Sequence, residues 1–295
     1  MYLAFIVNPA AGNGYALQVQ EELETVLRER GIEYRVFRTE RRGHGTELAA
    51  QLAADSEVKA VVAVGGDGTA GEVAAGLCGT AKPMGIVPAG TGNDFIKSVG
   101  IPNDARRAME ILFTCEPRAT DTGTVNGEFF LNVCGTGFDV TVLDYAESEK
   151  QKHRGLTPYL LGLLKAIFHY RSIRIRVKYD GGEKDGRFLV CTVANGRYIG
   201  GGIPICPAAD PADGLLDLVM IRHVPRRRIP LYLPGLMMSR DLRFRVTTHR
   251  KAQSVTFEGN NLRVNIDGEI RSMDGAEFRI RPASLQMIRP SAERN

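Results

Sequence analysis

The regular alternation of apolar runs with amphipathic stretches over the first 120 or so residues is the feature that most restricts the fold. Apolar residues recur at helical spacing from Ala16 to Arg30, and short apolar runs lie on either side of that stretch. The pattern predicts strands at 2–7, 33–39, 59–65 and 84–88, and helices at 16–30, 45–54, 69–77 and near 103–115. Such alternation indicates a Rossmann-like α/β domain, with a mostly parallel sheet covered by helices on both faces.

From about Thr120 the pattern changes to a period of two, which is typical of antiparallel strands. Asn126-Gly127 is a strong hairpin signal, and residues 173–179 alternate apolar with basic side chains. Further strands are predicted at 188–195, 215–221, 254–259, 262–267 and 277–282, and helices at 155–170 and near 226–238. We therefore predict three segments: an α/β domain at 1–122, a β-rich sandwich domain at 123–281, and a C-terminal strand and tail at 282–295 that returns to the first domain.

The cysteines and the apolar runs bear on the cellular compartment. The five cysteines are scattered and form no Cys-x-x-Cys pair, which is typical of reduced thiols in a cytoplasmic protein. The run at 2–7 has no basic segment before it and leads into a turn, so it predicts a first strand rather than a signal peptide. No run reaches the roughly 18 apolar residues that a transmembrane helix needs. We expect a cytoplasmic protein that meets a membrane only peripherally, at its inner face.

The positive charge is concentrated in residues 221–251. This segment holds nine of the 38 Lys and Arg residues and one of the 34 acids, Asp241, which leaves 29 basic and 33 acidic residues elsewhere. A solvated basic face and a surface that binds anionic lipid are both open explanations, since basic residues near a membrane contribute about 1 kcal/mol each. Nucleic acid is not an expected partner, because the chain has no recognition-helix, zinc-finger or RNP signature.

A glycine-rich turn follows the third predicted strand. The stretch VAVGGDGTAGEV, residues 63–74, leaves the strand through Gly65 and Gly66 and enters a helix near Thr69. Backbone N–H groups at a helix N-terminus favour a phosphate. Asp67 would repel that phosphate unless a Mg²⁺ lay between them, and magnesium is commonly held by a carboxylate together with substrate phosphates. A structural glycine turn with a capping aspartate is the alternative.

Two more glycine-rich turns follow predicted strands. NPAAGNG, residues 8–14, comes after the first strand, and PAGTGNDF, residues 88–95, comes after the fourth. Open α/β sheets bind ligands at the carboxyl ends of their strands. Three such turns at one edge predict a phosphate site, and the absence of GxxxxGK[ST] shows that it is not of the Walker type.

The motifs VNPAAG, GGDGT and PAGTGNDF, in this order and spacing, resemble those of the diacylglycerol kinase catalytic-domain family. This family includes bacterial diacylglycerol kinases and the sphingosine and ceramide kinases. DPADGLLDLVMI and NIDGE resemble two later motifs, so the resemblance spans nearly the whole chain. GGDGT is shared with NAD kinases and loosely with phosphofructokinases, whereas PAGTGNDF is typical of the lipid branch.

The resemblance implies an ATP site in the first domain. Its residues are Asn8, Thr39, Gly65, Gly66, Asp67, Gly68, Thr69, Gly71, Glu72, Gly90, Thr91, Asn93 and Asp94. Asp67 and Asp94, with Asp121 behind them, would form a carboxylate network around the metal. The first loop departs from the pattern, since many members carry a hydroxyl residue where this chain has Ala11 before the glycine.

The resemblance also implies roles for acids of the second domain. Asp210, Asp213 and the backbone carbonyl of Leu215 match a structural Mg²⁺ site of the bacterial members. Asp267 matches the catalytic base, with Glu269 beside it, and the resemblance also implies a catalytic role for Asp67 of the first domain.

Each of these acidic motifs also has an ordinary explanation. Asp-Pro-Ala-Asp-Gly is common turn chemistry, and Asp-Gly is a favoured hairpin pair. A kinase, however, needs a carboxylate that accepts the proton of the attacking hydroxyl, and metal that neutralises the phosphates. We expect Asp67 and Asp267 to meet in a cleft between the domains.

The sequence thus predicts an ATP- and Mg²⁺-dependent lipid kinase that converts diacylglycerol to phosphatidic acid. The apolar stretches 155–170 and 229–238 are candidates for contact with acyl chains or for core packing. A sphingoid base, phosphatidylglycerol or a polyprenol are alternative acceptors. A soluble NAD kinase-like enzyme, a non-catalytic nucleotide or lipid sensor, and a homodimeric state also stay open.

Overall fold

The computed structural model describes residues 1–150, 157–231 and 246–291. The chain forms two compact units: Met1–Thr122 with Pro282–Asn295, and Gly123–Arg281. Each unit has a hydrophobic core of its own. Within the described residues, no helix is both long and apolar enough to cross a membrane.

The first unit is built on four parallel strands in the order β2-β1-β3-β4. They are β1 (Tyr2–Val7), β2 (Tyr34–Arg38), β3 (Val58–Gly65) and β4 (Pro83–Pro88). The helices are α1 (Tyr15–Glu29), α2 (His44–Ala54), α3 (Asp67–Leu77), α4 (Asp94–Ser98) and α5 (Ala105–Thr114). All four predicted strands are present, and the sheet is parallel as predicted. The short helix α4 was not predicted, because it begins inside the glycine-rich turn 88–95.

The second unit consists mainly of antiparallel strands. The strands from the unit boundary onward are β5 (Pro117–Val125), β6 (Glu128–Phe130), β7 (Val133–Gly137), β8 (Ile173–Tyr179), β9 (Gly182–Ala194), β10 (Leu216–Arg222), β11 (Thr247–Ala252), β12 (Ser254–Glu258), β13 (Leu262–Ile266), β14 (Glu269–Met273) and β15 (Ala276–Ile288). The helices α6 (Phe138–Lys150) and α7 (Thr157–His169) lie between β7 and β8. The strands pair in the order β14-β13-β7-β9-β8-β12, and β10 joins β9 to β11.

The period-two pattern of β8 is confirmed. Ile175 and Val177 are buried, whereas Arg174, Arg176 and Lys178 are exposed. Burial of one face explains why this strand tolerates a basic side chain at every second position. Behind it, aromatic side chains fill the core in edge-to-face pairs, which favour the positive ring edge against the negative ring face.

Several elements differ from the sequence prediction. The helix α6 and the strands β11 and β14 were not predicted. The strand predicted at 277–282 and the C-terminal strand predicted within 282–295 form the single strand β15. Of the helix predicted near 226–238, Arg226–Arg228 form a 3₁₀ turn and residues 229–231 are helical, whereas residues 232–238 lie outside the described residues.

The strand β15 contributes to both units. Its first part pairs antiparallel with β12 in the second unit. Its last part, in the first unit, pairs parallel with β4 through Gln286 and Met287. The sheet of the first unit therefore includes a strand from the C-terminal end of the chain.

Candidate functional site

The three glycine-rich turns of the first unit pack against one another, backbone to backbone. A Cβ atom on Gly12 would lie 2.4 Å from the carbonyl oxygen of Ala89, and Gly12 has a φ of +60°. A Cβ on Gly90 would lie 2.3 Å from the Cα of Gly66. No side chain fits at these distances, so the glycines are required for the close approach. The loops after β1, β3 and β4 therefore form one continuous backbone surface.

Hydrogen bonds fix the ends of the strands that carry these loops. Asn8 donates through Nδ2 to Thr69 Oγ1 at 3.2 Å, which ties the end of β1 to the first turn of α3. The N–H of Ala89 donates to the carbonyl of Gly65 at 2.7 Å. Thr39, directly after β2, donates its N–H to Val7 at 2.9 Å. The structure thus brings Asn8 and Thr69 together, and anchors Thr39 at the neighbouring strand end.

Asp67 links the second turn to the third. Its Oδ1 accepts the N–H groups of Asp94 at 2.7 Å and Phe95 at 3.1 Å. Burial raises the pKa of Asp67, the Phe95 N–H opposes that rise, and the nearby Asp94 charge adds to it. Within the described part of the chain, no group donates a hydrogen bond to Oδ2. One carboxylate oxygen is therefore used by the fold and the other can ligate a cation.

Asn93 and Asp94 shape the third turn. Asn93 has a φ of +49° and clamps Gly90, accepting its N–H at 3.2 Å and donating to its carbonyl at 2.9 Å. Asp94 is 5% exposed and pairs with Lys97 at 2.8 Å. Thr91 is exposed at the tip of the same turn. The two buried residues hold the loop, and the exposed threonine lies free to meet a ligand.

Glu72 and Asp121 bind backbone elements in the structure. Both oxygens of Glu72 accept N–H groups at the start of α2, from Gly43 at 2.8 Å and Gly45 at 2.9 Å. Asp121 accepts the N–H of Ala283 at 2.7 Å, and Ala283 has a φ of +50°. Glu72 thus caps α2, and Asp121 fixes the turn that leads into the last part of β15.

In the second unit, Asp267 binds three consecutive N–H groups. Its Oδ2 accepts Leu131 N–H at 2.6 Å, and its Oδ1 accepts Asn132 at 3.0 Å and Val133 at 2.9 Å. Asp267 has a φ of +48° in the hairpin turn between β13 and β14. The side chain is therefore held rigidly and fixes the segment before β7. Beside it, Glu269 pairs with Arg271 at 2.7 Å.

Asp139 was not predicted from the sequence, and its carboxyl group has fewer hydrogen bonds than that of Asp267. Its Oδ2 accepts a bond from Asn265 Nδ2 at 3.3 Å, and a Cβ on Gly135 would lie 2.4 Å from the same oxygen. Its Oδ1 is buried without a hydrogen-bond partner among the described residues. Burial raises the pKa of Asp139 to about 6. The sequence signal was the glycine-rich stretch Gly-Thr-Gly-Phe-Asp, in which the strand β7 ends and the helix α6 begins.

Asn265 connects these two acids of the second unit. It donates to Asp139 through Nδ2, and its Oδ1 accepts the N–H of Gly268 at 2.8 Å, in the turn that holds Asp267. A buried carboxyl whose pKa lies near neutrality is a functional-site candidate, because it can exchange a proton under physiological conditions. The hairpin turn after β13 and the start of α6 therefore form one polar cluster.

The residues expected to hold a structural Mg²⁺ do not fit that ion as they stand. Asp213 Oδ1 accepts the N–H of Leu215 at 3.0 Å, and Asp213 Oδ2 binds the ammonium group of Lys251. Asp210 is exposed. The Lys251 ammonium on Asp213 Oδ2 would repel a cation, so Asp213 does not offer that oxygen to Mg²⁺ in this arrangement. The exposed Asp210 alone does not make up the set of oxygen ligands that the ion needs.

Comparison with known proteins defines the class. Residues 2–125 match the family model described as the diacylglycerol kinase catalytic domain, and residues 132–289 match the YegS C-terminal NAD kinase beta sandwich-like domain. The chain therefore belongs to the lipid kinase family that contains diacylglycerol kinases and YegS-like lipid kinases. The predicted family and the predicted fold class, a parallel α/β part with a β-rich sandwich, are confirmed.

Individual relatives cover nearly the whole chain. A Mycobacterium tuberculosis protein named diacylglycerol kinase is 31% identical over 295 residues, covering 97% of this chain and 94% of the relative. A Chromohalobacter salexigens protein named probable lipid kinase YegS-like is 29% identical, covering 94% and 91%. The crystal structure of a diacylglycerol kinase from Bacillus anthracis str. Sterne superposes with a TM-score of 0.75 at 22% identity, covering 99% and 97%. This structural likeness bears on the fold alone.

Proposed function

We propose that the protein is an ATP-dependent kinase that phosphorylates diacylglycerol to phosphatidic acid. The first unit binds ATP and the second unit binds the lipid. The packing of Gly12 on Ala89 and of Gly66 on Gly90, at the carboxyl ends of parallel strands, is the observation that carries the proposal. It forms a side-chain-free surface at which phosphate oxygens can reach backbone N–H groups.

Asp67 is the residue proposed to hold Mg²⁺ with the nucleotide phosphates. Its Oδ1 is fixed by two N–H groups, so Oδ2 is presented in a defined direction. When bound, the ion neutralises charge on the phosphates. Asp94 and Lys97 keep the adjoining turn in place by their ion pair. The N–H groups at the start of α3 would bind the phosphates directly.

Asp267 is proposed to accept the proton of the lipid hydroxyl. As that proton leaves, the hydroxyl oxygen bonds to the γ-phosphorus and the bond from phosphorus to the ADP oxygen breaks. The three N–H bonds to Asp267 orient its carboxylate. Asp139 is a second candidate for this role, because its buried Oδ1 lacks a partner among the described residues. We further propose a membrane-surface setting, since the substrate is a lipid.

An exposed apolar stripe on α7 supports that setting. Leu160, Leu164 and Phe168 are spaced four residues apart and are 57%, 48% and 71% exposed. Ile167 on the neighbouring face is buried. Part of the predicted apolar helix is therefore core, and part faces outward. A stripe of this kind can insert into the boundary between head groups and acyl chains.

Arginine residues lie at the C-terminal end of α7. Arg226, Arg227 and Arg228 are exposed, and Arg226 Nε donates to the carbonyl of Tyr170 at 2.9 Å, one residue after the helix. Basic side chains beside an apolar stripe favour an anionic lipid surface. Residues 232–245 of the basic segment lie outside the described residues.

Transfer of labelled γ-phosphate from ATP in the presence of Mg²⁺ tests the function. The acceptors are diacylglycerol, a sphingoid base, phosphatidylglycerol and a polyprenol, each in anionic and in zwitterionic micelles, with NAD and a no-acceptor control. We expect label on diacylglycerol, with faster transfer in anionic micelles. Label on another lipid alone would replace the substrate, and label on NAD alone would contradict the lipid assignment. ATP binding without any transfer would favour a sensor.

Two glycine substitutions separate packing from nucleotide binding. Gly90→Ala is expected to lower the free energy of unfolding by about 1–3 kcal/mol, because its Cβ would overlap Gly66.

Gly68→Ala is the matched control. Gly68 is exposed on α3, and no other atom lies within 4 Å of its Cβ position. Alanine also favours the helix. We expect the variant to fold normally but to bind ATP roughly tenfold more weakly. Urea unfolding and ATP titration measure the two effects. Unchanged ATP affinity in Gly68→Ala would argue against phosphate contact at α3.

A further inference from the structure

A lysine lies among the acids at the start of β10. Asp217, on β10, is fully buried and is the direct cross-strand partner of Lys251 on β11. Lys251 Nζ lies 3.5 Å from Asp217 Oδ2 and also binds Asp213 Oδ2. The other oxygen of Asp217 contacts His249 Nε2 at 2.5 Å. One ammonium group therefore bridges the buried acid of the strand and the exposed acid of the preceding loop.

The charge on Lys251 is favoured at this position. Its ammonium group lies between the carboxylates of Asp213 and Asp217, and two neighbouring negative charges favour the charged form of a lysine. A buried carboxylate such as Asp217 requires a compensating positive group, since an uncompensated buried charge is strongly destabilising. Lys251 supplies that group from within the chain.

A soft-metal site at the same place is not favoured. Cys206, Asp217 and His249 form the one group of potential metal ligands found in the described ranges, with ligand atoms within 4.8 Å of one another. Metals bind the thiolate form of cysteine. Burial raises the pKa of the Cys206 thiol, and the Asp217 charge adds to the rise. The Lys251 ammonium beside Asp217 would also repel a cation.

We propose that the Lys251 ammonium replaces the structural Mg²⁺ that the family motif implies at Asp210, Asp213 and Leu215. A lysine on β11 or a metal ion in the loop would each supply a positive charge between the 210–215 loop and β10. Here the cross-strand register places the ammonium against both Asp213 and Asp217. The loop is therefore stabilised independently of divalent cations, and this inference does not depend on which nucleotide or lipid is bound.

Thermal unfolding without nucleotide or lipid tests the proposal. The wild type, Lys251→Met and Asp213→Asn are each heated in Mg²⁺ and in EDTA at matched ionic strength. We expect the wild-type Tm to be the same in both buffers. Lys251→Met should lose on the order of 5 °C in EDTA, since the buried Asp217 loses its ammonium partner and keeps only the His249 ring. The variant should regain part of this loss in Mg²⁺. Asp213→Asn should be destabilised equally in both buffers.

Lys178→Met is the control for loss of a lysine ion pair. Lys178 and Glu258 form an ion pair in the same unit, and both side chains are exposed. The Tm of Lys178→Met should therefore differ little from that of the wild type and should not respond to Mg²⁺. A wild-type Tm that rises in Mg²⁺, with the rise absent in Asp213→Asn, would overturn the proposal. So would a Lys251→Met variant as stable as the wild type in EDTA. If Lys251→Met does not fold, the Tm values of the wild type and Asp213→Asn in the two buffers still test the proposal.

Discussion

Asp67→Asn is expected to reduce the rate of phosphoryl transfer by about 10²–10³-fold, the usual effect of removing one electrostatic contact to the transition state. Asparagine keeps an Oδ1 that can accept the N–H groups of Asp94 and Phe95, so the turns stay joined. The amide group that replaces Oδ2 cannot ligate Mg²⁺. We therefore expect a large loss of kcat with a change in the free energy of unfolding of less than about 1 kcal/mol.

Initial rates at saturating ATP, together with urea unfolding, check this result. Asp104→Asn is a matched control, because Asp104 also accepts a backbone N–H, from Arg107 at 2.8 Å, at the start of α5. Its rate should equal that of the wild type. A wild-type rate for Asp67→Asn would remove Asp67 from the proposed metal site. If the free energy of unfolding falls by as much as the activation free energy of transfer rises, the role of Asp67 is structural.

Asp267→Asn is expected to lower kcat by about 10²–10⁴-fold, the usual contribution of a general base. ATP binding should survive, since Asp267 lies in the second unit. Stability should fall as well, by about 2 kcal/mol, because asparagine cannot accept all three N–H groups that Asp267 accepts. Single-turnover rates measured at temperatures well below the unfolding transition separate the loss of kcat from the loss of stability. If the folded variant transfers phosphate at the wild-type rate, Asp267 is an anchor rather than the base.

The pH dependence then distinguishes Asp139 from Asp267. If Asp139 is the base, the rate falls as the pH drops below about 6 and its carboxyl is protonated. Stability has the opposite dependence: a carboxyl whose pKa is raised in the folded state loses stability as the pH rises through that value. Asp139→Asn should therefore gain stability relative to the wild type above about pH 6 and not below pH 4. An equal difference at all pH values would show that the carboxyl does not titrate there.

The elements of the first unit were predictable because local patterns determine them. The strands β1, β3 and β4 are buried apolar runs that lead into glycine-rich turns, and the helix α1 has its apolar residues at helical spacing. Nothing local indicates that Gly12 meets Ala89 or that Gly66 meets Gly90, since these contacts depend on how three loops pack. The sequence thus predicts which turns carry the site, and the structure shows which glycines are required for packing.

The polar residues of the second unit were less predictable, because long-range register decides their partners. Lys251 belongs to a basic segment whose charge suggests a surface, yet it lies opposite the buried Asp217. The strand β11 that carries it has little apolar alternation, which is why it was not predicted. Asp139 follows the glycine-rich end of β7, but only the fold shows that its Oδ1 is enclosed.

The place of the last part of β15 in the first unit has a consequence for the order of synthesis on the ribosome. Leu285 and Met287 are fully buried in that unit, and Ser284 accepts the N–H of Gly79 at 2.7 Å. When the first 122 residues have emerged, β4 still lacks this neighbour and presents an open edge, which is prone to pairing with other chains. The unit that is made first must therefore be completed last, after the whole second unit has been translated.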